Sequence, residues 1–332
     1  MLKEHRMKAL QLKDIGKIDI EEIPTPRPKK GQAIMKVRSN ALCRTDAKMW
    51  KMGHRDLILP RVLGHECCAI REDTGNRYVI WPGNACGKCE SCRKGYENLC
   101  DDMQILGFHK DGGLAEYTVV AESNLVLVPD NLSDDLACLA EPLACTINAL
   151  NLADAKQGHR ILIYGAGPVG LMMALAAKVR GAVPTVCEIN PEKIKISRNF
   201  QNKTGIRVLE KLPQNQWQTV INAAPALEIF KDGISRLESR GCFCIFSGFT
   251  NTTDSVSKEM INILNDIHYR QLRISSAYGC TREQIRSALE ILRNHADDLS
   301  LLIEKTISIE DVPEVLPKIW DGDVLRYVVK FV

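Results

Sequence analysis

The sequence lacks a large charge excess, a long basic run and any long apolar segment, and each absence excludes a class of protein. Its 332 residues carry a formal net charge of only +3, which does not indicate nucleic acid or an acidic membrane surface as a partner. No apolar run approaches the ~20 residues that span a bilayer. The charged first segment, MLKEHRMKAL, has no apolar signal-peptide core, so we expect a cytoplasmic protein without membrane attachment.

Tandem repeats and low-complexity linkers are also missing, and what remains is the composition of a globular chain. Apolar residues make up 45% of the sequence and charged residues 26%, as in ordinary soluble proteins. A chain of 332 residues is long enough for two domains, each with its own hydrophobic core.

Cysteine is abundant, and its spacing is more informative than its number. The chain has 13 cysteines, an odd number in an expected reducing compartment, where disulfides are disfavoured. Tetrahedral zinc takes four thiolates at short spacings, and such a closed site has no coordination position left for chemistry. A zinc ribbon would need two separated knuckles and a basic surface, which this sequence does not offer. A structural zinc site is therefore predicted in NACGKCESCRKGYENLC, with ligands Cys86, Cys89, Cys92 and Cys100.

The order of secondary-structure patterns predicts an α/β protein. The first part contains short β-type runs such as GQAIMKVRSNAL and LAEYTVV, broken by proline and glycine, which predict an antiparallel β domain. RILIYGAGPVGLMMALAAKVRGAVPTVCEIN then has the pattern of strand, glycine turn, helix and strand, which predicts a parallel sheet. After residue 280 the pattern predicts one helical stretch, TREQIRSALEILRNHADDL, and a final strand, VLRYVVKFV.

The motif GAGPVG lies at the turn of this βαβ unit and is typical of a dinucleotide site. Gly165 allows a tight turn, Gly167 lets the backbone approach a pyrophosphate, and Gly170 lets the helix lie close to the sheet. Pro168 and Val169 complete the motif at the helix N-terminus, whose partial positive charge faces the phosphates. The alternative is a glycine turn in an α/β protein that binds no cofactor.

Glu188 ends the second strand of the same unit, in TVCEIN. A carboxylate at this place accepts hydrogen bonds from the adenosine ribose hydroxyls and repels a 2′-phosphate, which favours NAD over NADP. The alternative is that Glu188 is only a surface acid.

Four further residues carry metal-ligating chemistry: Cys43 in LCRTDAK, His65 and Glu66 in LGHECC, and Glu141 in LAEPLAC. Alone, a cysteine is usually a small buried apolar residue, and a histidine is usually a core or surface residue. Because they lie upstream of a dinucleotide motif and beside a four-cysteine segment, the four residues together are a far more specific signal than any one of them alone. The chain resembles the zinc-dependent medium-chain alcohol dehydrogenases, the family of liver alcohol, sorbitol and threonine dehydrogenases. The resemblance covers essentially the whole chain from Met7, through CRTD, GHE, the four cysteines, GGLAEY, AEPLAC, GAGPVG and VLRYVVKF.

This resemblance implies a domain organisation. Residues 1–147 are expected to form a GroES-like catalytic domain of β type, with a structural-zinc lobe at residues 86–100. Residues 148–280 are expected to form a Rossmann NAD-binding domain, and residues 281–332 to return to the catalytic domain. The active site is then expected in the cleft between the domains. A homodimer or homotetramer is also implied, formed through the sheet edge at LRISSAYG (272–279).

By the same resemblance, Cys43 and His65 are ligands of a catalytic zinc. Glu66 corresponds to a ligand or a close neighbour of the metal in sorbitol-type members. Glu141 takes the place of a third cysteine in alcohol dehydrogenases and of a glutamate in polyol and threonine dehydrogenases, so the chain lies nearer the polyol branch. Which of the two glutamates binds zinc directly stays open.

The segment CRTDAK also implies a proton route. Thr45 corresponds to the hydroxyl that binds the substrate oxygen, and Asp46 to the acid that orients the zinc-bound histidine, a role that zinc sites require in general. Lys48 stands where liver-type enzymes place the histidine that ends the proton relay, so Lys48 and His54 are both candidates for that base. The stretch Cys68–Asn84 is shorter than in the family, which predicts a trimmed edge of the catalytic domain.

Further residues correspond to the cofactor contacts of the family. Arg44 and Arg326 match pyrophosphate-binding arginines. Glu188, Asn190 and Lys193 match the adenosine-ribose pocket of NAD-specific members. Six residues fall near expected substrate positions: Trp50, His54, Phe108, His109, Phe249 and Tyr278.

The resemblance therefore implies hydride transfer between a secondary alcohol and NAD, with zinc acting as a Lewis acid. Glu141 favours a small-molecule substrate of the polyol, cyclitol, aminocyclitol or hydroxy amino acid class. The alternatives are an aldehyde or ketone reductase, a simple alcohol dehydrogenase, and a non-catalytic zinc- and nucleotide-binding protein. The intact metal-ligating residues and Thr45 argue against the last of these.

Overall fold

Two structural units share the chain. The computed structural model describes residues 5–248, 257–322 and 324–331, so Phe249 lies outside the described residues. The first unit comprises Met1–Ala144 together with Cys280–Val332, and the second comprises Cys145–Gly279. Within the described ranges, every helix is too short or too polar to cross a lipid bilayer.

The helices and strands are numbered in chain order. The strands are β1 Arg6–Asp14, β2 Lys17–Pro24, β3 Gln32–Ala41, β4 Arg61–Val62, β5 Glu66–Arg71, β6 Arg77–Ile80, β7 Gly83–Asn84, β8 Gln104–Ile105, β9 Tyr117–Ala121, β10 Leu125–Leu127, β11 Arg160–Tyr164, β12 Val183–Cys187, β13 Arg207–Leu209, β14 Trp217–Asn222, β15 Leu237–Ile245, β16 Arg273–Ser276, β17 Ile303–Ile307 and β18 Arg326–Lys330. The helices are α1 Arg44–Met52, α2 Glu90–Arg93, α3 Asp134–Ala137, α4 Ala140–Leu152, α5 Pro168–Val179, α6 Pro191–Ile196, α7 Arg198–Thr204, α8 Glu228–Ser235, α9 Ser257–Tyr269, α10 Arg282–Asn294, α11 Ala296–Leu299 and α12 Val312–Asp321.

The first unit is built around β3, whose side chains alternate between buried and partly exposed along most of the strand. This period of two is what a strand with one face on the core requires. The main sheet runs β10-β6-β5-β3-β18-β17, and β9 also pairs with β3. Met35 and Val37 of β3 are fully buried and pack in one core cluster with side chains from β1, α1 and α12.

Strand register brings three distant parts of the chain together at one end of β3. Ala41, its last residue, pairs with Glu66 at the start of β5 and with Val328 of β18 on the other side. The chain leaves β3 into α1 immediately afterwards. Residues just after β3, at the start of β5 and at the start of β18 therefore meet at this edge.

The second unit contains one parallel sheet in the order β13-β12-β11-β14-β15-β16. Ile161, Leu162 and Ile163 of β11 are fully buried, as expected for a strand covered on both faces. The predicted parallel sheet is thus present, and the order places β11 between β12 and β14, so that the glycine turn after β11 lies centrally at its carboxyl end.

The prediction for the C-terminal segment was wrong in one respect. The structure has β17 and α12 between the predicted helix and the final strand. Three residues of β17 are exposed, so the strand has no clear apolar alternation. Helix α12 contains two prolines: Pro313 lies in the first turn, where the missing N–H costs nothing, and Pro317 lies inside the helix.

Candidate metal centre and cofactor site

The first group of candidate residues surrounds the N-terminus of α1. Cys43 is the N-cap residue of this helix, and the Asp46 carboxylate accepts a hydrogen bond of 2.8 Å from the Cys43 backbone N–H. The other Asp46 oxygen lies 3.4 Å from Nδ1 of His65. Asp46 is fully buried, so it holds both the Cys43 backbone and the His65 ring and leaves Nε2 of His65 for another partner.

The charge state of these groups favours a thiolate. Burial alone would raise the pKa of Cys43, but hydrogen bonding to His65 and the positive charges of His65 and Arg326 lower it to about 6. Burial would lower the pKa of His65, but Asp46 and Cys43 raise it well above its ordinary value. A thiolate and an imidazole in contact are a donor pair suited to zinc.

Glu66 is the third member of this group and has a buried cationic neighbour. Its carboxylate lies 3.1 Å from the guanidinium of Arg326, which also donates a 2.6 Å hydrogen bond to the Leu42 carbonyl. Burial raises the pKa of Glu66 well above its ordinary value, although Arg326 opposes the shift, and Cys43 and Glu141 raise it further. A carboxylate in such surroundings is stabilised by an additional positive charge.

The donor atoms of Cys43, His65 and Glu66 lie within 4.8 Å of one another. Asp46 Oδ1 and His65 Nδ1 face each other at 3.4 Å, and one Glu66 oxygen faces Arg326 at 3.1 Å, without well-formed hydrogen bonds. Glu66 Oε2 and Arg326 Nε have no hydrogen-bond partner among the described residues. Buried polar atoms without partners are rare in native proteins. One thiol, one imidazole and one carboxylate around a shared centre fit a zinc ion with a further open position.

Glu141 lies near this group but outside it. It stands in the first turn of α4 and is 8% exposed. Its charge raises the pKa of Glu66, but Glu141 is not a member of the 4.8 Å group of Cys43, His65 and Glu66. Thr45 lies half-buried in the first turn of α1, and Lys48 is exposed on the same helix.

The four cysteines predicted to bind structural zinc form a second cluster, also in the first unit. Their sulfur atoms lie within 4.8 Å of one another, and those of Cys89 and Cys100 are 4.0 Å apart. A tetrahedral zinc with bonds of about 2.3 Å needs sulfur atoms roughly 3.8 Å apart, so a small contraction would complete the site.

Backbone N–H groups point at these sulfur atoms. Cys100 Sγ accepts from Cys86 N at 3.2 Å and from Asp102 N at 3.3 Å. Hydrogen bonds from the backbone N–H groups of Cys92 and Asp101 lower the pKa of Cys89 to about 6. Since thiolates and not thiols bind zinc, the lowered pKa of Cys89 favours a metal ion, whereas burial and the contact with Cys89 raise the pKa of Cys92 to about 12.

The four-cysteine loop is fixed to α10 by contacts that the sequence did not reveal. Arg282 donates to both carboxylate oxygens of Glu97, the shortest bond being 2.6 Å. The Arg282 guanidinium also lies 5.7 Å from the ring centre of Trp81, whose Nε1 donates to the Cys280 carbonyl at 2.8 Å. No local motif marks Glu97 or Arg282, because the contact joins distant segments.

The glycine turn of the second unit has the features of a dinucleotide site. Gly165 has φ of 108°, which residues with a side chain rarely adopt. A Cβ on Gly170 would lie 2.0 Å from the Gly165 carbonyl oxygen, whereas a Cβ on Gly167 would meet no atom within 4 Å. The backbone at Gly167 is therefore open to a ligand, at the N-terminus of α5, which begins with Pro168 and Val169.

Glu188 is bound to the same turn. One carboxylate oxygen accepts from the Ala166 N–H at 3.0 Å, and the other accepts from the N–H groups of Ile189 and Asn190, each at 2.9 Å. Its side chain is 8% exposed, so it is not a solvated surface acid. A carboxylate oxygen has more than one lone pair, so these bonds leave acceptor capacity for ribose hydroxyls.

The remaining predicted cofactor residues lie in both units. Asn190 caps α6 through a 2.9 Å bond from the Glu192 N–H, and Lys193 lies half-buried on that helix. In the first unit, Arg44 donates to the Trp320 carbonyl at 3.3 Å and lies over the Trp320 ring. Arg326 is almost fully buried against Glu66.

The residues predicted near the substrate differ in their surroundings. The Phe108 ring makes edge contacts with His54 and with His65, both at 5.3 Å between ring centres. Trp50 packs against the core of the first unit, and His109 accepts a hydrogen bond from the Ile105 N–H. Tyr278 belongs to the second unit and is 46% exposed.

Comparison with known proteins agrees with this architecture. The alcohol dehydrogenase GroES-like domain matches residues 29–130. D-altritol 5-dehydrogenase of Agrobacterium fabrum is 28% identical over 321 residues, which are 92% of this chain and 94% of that protein. These findings support a zinc-type medium-chain dehydrogenase family, in agreement with the motifs.

Two solved structures have the same fold. The alcohol dehydrogenase of E. coli CFT073 with bound NADH matches with a TM-score of 0.87 at 23% identity, over 98% of this chain and 99% of that one. A zinc-binding dehydrogenase structure from Sinorhizobium meliloti 1021, bound to NADP, matches with a TM-score of 0.87 at 25% identity, over 98% and 100%. The predicted fold class, a GroES-like domain with a Rossmann domain, is confirmed, and so is the prediction of a dehydrogenase.

Proposed function

We propose that the protein oxidises the secondary alcohol of a polyol, cyclitol or hydroxy amino acid with NAD, using a catalytic zinc held by Cys43, His65 and Glu66. The observation that carries the proposal is the buried cluster of a thiol, an imidazole and a carboxylate, in which Glu66 Oε2 has no hydrogen-bond partner among the described residues. A structural role alone does not account for such a cluster, because unpaired buried polar groups destabilise a fold. Glu141 is the acidic residue next to the cluster of Cys43, His65 and Glu66.

The chain's own residues have distinct tasks in this reaction. Asp46 fixes the His65 ring, and Arg326 keeps a positive charge beside Glu66. Thr45 takes the proton of the substrate hydroxyl and passes its own proton outward to solvent, on the side of α1 where Lys48 is exposed. When bound, zinc supplies a Lewis acid that lowers the pKa of the substrate hydroxyl, and NAD accepts the hydride.

The cofactor is held by the glycine turn and by Glu188. The fixed carboxylate of Glu188 at the turn supports NAD rather than NADP, because it would repel a 2′-phosphate. Arg44 and Arg326 are proposed to contact the pyrophosphate, and Asn190 and Lys193 the adenosine ribose. The four-cysteine cluster is proposed to hold a second, structural zinc.

We further propose a homodimer or homotetramer joined through β16. This strand is the last in its sheet, and three of its four residues are exposed. An edge strand has unpaired N–H and C=O groups that can pair with a second copy. Light scattering at micromolar concentration tests this proposal, and a monomer would contradict it. A cytoplasmic location remains a prediction from the sequence.

The activity is tested by following NADH formation with D-altritol, D-sorbitol, myo-inositol, L-threonine and 2-butanol. We expect at least one of the first four to be oxidised with a higher kcat/KM than 2-butanol. The Cys43→Ala variant should be inactive with all of them. Preferred oxidation of 2-butanol would favour a simple alcohol dehydrogenase, and activity of the protein only with a carbonyl compound and NADH would favour a reductase.

A further inference from the structure

We propose that His54 determines substrate specificity by donating a hydrogen bond from Nε2 to a substrate oxygen that lies away from the reacting carbon. The inference rests on the proposed function, because it assumes that the substrate binds beside His65. It assigns His54 to recognition of the substrate, and not to the proton relay.

The position of His54 follows from its contact with Phe108. The rings of His54 and His65 each lie 5.3 Å from the Phe108 ring, at interplanar angles of 79° and 62°. The two imidazole centres are thus separated by no more than twice that distance, and both rings contact the same phenyl ring. A substrate oxygen held beside His65 leaves the rest of a short polyol chain within the reach of His54.

The hydrogen on the His54 ring is assigned by a local contact. The Asp56 backbone N–H donates to Nδ1 of His54 at 3.2 Å, so Nδ1 acts as an acceptor. In a neutral imidazole the other nitrogen then carries the hydrogen. Nε2 is therefore a donor, which suits a hydroxyl or carboxylate oxygen and does not suit a base that must accept a proton.

The charges around His54 keep the ring neutral. Burial lowers the pKa of His54, Asp56 opposes the shift, and Lys48 and Arg55 lower the pKa further. The ring is only partly exposed, at 17% of its side chain. A half-buried neutral donor strengthens the binding of a substrate that carries several oxygen atoms. It cannot form a hydrogen bond with an alcohol whose remaining heavy atoms are all carbon.

The test compares substrates in three forms of the protein: wild type, His54→Leu and His54→Gln. The probes are 2-butanol and whichever of D-altritol, D-sorbitol, myo-inositol and L-threonine has the highest kcat/KM. Loss of one hydrogen bond to a desolvated partner should lower the polyol-to-butanol ratio of kcat/KM by about tenfold in His54→Leu, mainly through KM. His54→Gln keeps an N–H donor and should recover part of the ratio.

A matched control is His295→Leu, because His295 also lies beside an aspartate, with Nδ1 3.2 Å from Asp298, but at the end of α10. It should leave the ratio unchanged. An unchanged ratio in His54→Leu would overturn the proposal. So would a shifted pH profile of kcat with an unchanged ratio, since that result would make His54 a proton acceptor. If His54→Leu does not fold, His54→Met takes its place.

Binding provides a readout that is independent of turnover. D-Altritol should raise the Tm of the wild-type complex with NADH more than that of the His54→Leu complex, and an equal rise would also contradict the proposal. If none of the five compounds is oxidised and D-altritol raises neither Tm, the proposed function fails. If D-altritol raises both Tm values equally, only the role of His54 fails.

Discussion

The carboxylate of Glu66 and the guanidinium of Arg326 lie 3.1 Å apart, and their side chains are 1% and 4% exposed. The two residues meet because β5 and β18 flank β3. A buried ion pair does not by itself stabilise a fold, but removing one partner leaves the other charge buried and uncompensated. Arg326 therefore has a task beside Glu66 in addition to the pyrophosphate contact that the family resemblance implies.

The Arg326→Gln variant separates these two tasks. We expect the free energy of unfolding without NAD to fall by about 3–5 kcal/mol, because Glu66 loses its buried partner. Arg326→Lys should lose less, since it keeps the charge. Denaturant titration of both variants gives the difference, and NADH titration reports the cofactor contact separately. Full stability of Arg326→Gln would contradict the role beside Glu66.

The Glu97–Arg282 contact should make stability depend on pH. Burial alone would raise the pKa of Glu97, but hydrogen bonds and the charge of Arg282 lower it. A depressed pKa contributes stability at pH values above the unfolded-state pKa, and this contribution is lost as the pH falls through the folded-state pKa. Glu97→Gln should therefore reduce the free energy of unfolding by about 1 kcal/mol at pH 7. The expected loss is small because Arg282 is partly exposed and solvent screens its charge.

The measurement is the difference in unfolding free energy between wild type and Glu97→Gln from pH 7 down to pH 4. The difference should shrink as the pH falls, because the wild type then loses its own ion pair. Loss of zinc at low pH affects both proteins, so it cancels in the comparison. A difference that stays constant with pH would show that the contact contributes no charge interaction.

Glu188 should control the choice between NAD and NADP. Glu188→Ala removes the charge that repels a 2′-phosphate, so the preference for NADH over NADPH should fall by about tenfold, judged by fluorescence titration. The variant should also lose stability, since the N–H of Ala166 loses its acceptor. Tighter binding of NADP than of NAD by the native protein would contradict the assignment.

Glu141 carries the argument for the polyol branch. Glu141→Gln should keep the fold, the NAD site and the four-cysteine zinc, while turnover falls by ~10²–10⁴, as expected when a positioned charge or proton-transfer group is removed. The alternative is that Glu141 only stabilises the N-terminus of α4, worth about 0.3–1 kcal/mol. Steady-state kinetics with thermal unfolding decides between them, and a normal rate would favour the structural role.

Local patterns predicted the parts of the site that lie close together in sequence. The glycine turn and the four cysteines are each confined to one loop, so spacing alone identified the residues that the structure brings together. Asp46 and His65 were paired only through the family resemblance, and the structure places them 3.4 Å apart.

Contacts between distant segments could not be predicted in the same way. The partnership of Glu66 with Arg326 depends on the pairing of β3 with both β5 and β18, which no local pattern specifies. The anchor of the zinc lobe at Arg282 depends likewise on tertiary packing. For α12, the prolines in its sequence were a local signal against a helix, and burial of Val312, Leu316 and Ile319 outweighs it.

Zinc content is the measurement that tests the account most directly, because it does not depend on knowing the substrate. Elemental analysis of the wild type should find two zinc ions per chain. Cys43→Ala should retain one, held by the four cysteines, and Cys92→Ala should lose that ion together with the order of its loop. A wild-type protein with a single zinc ion that survives Cys43→Ala would contradict the catalytic metal centre at Cys43, His65 and Glu66.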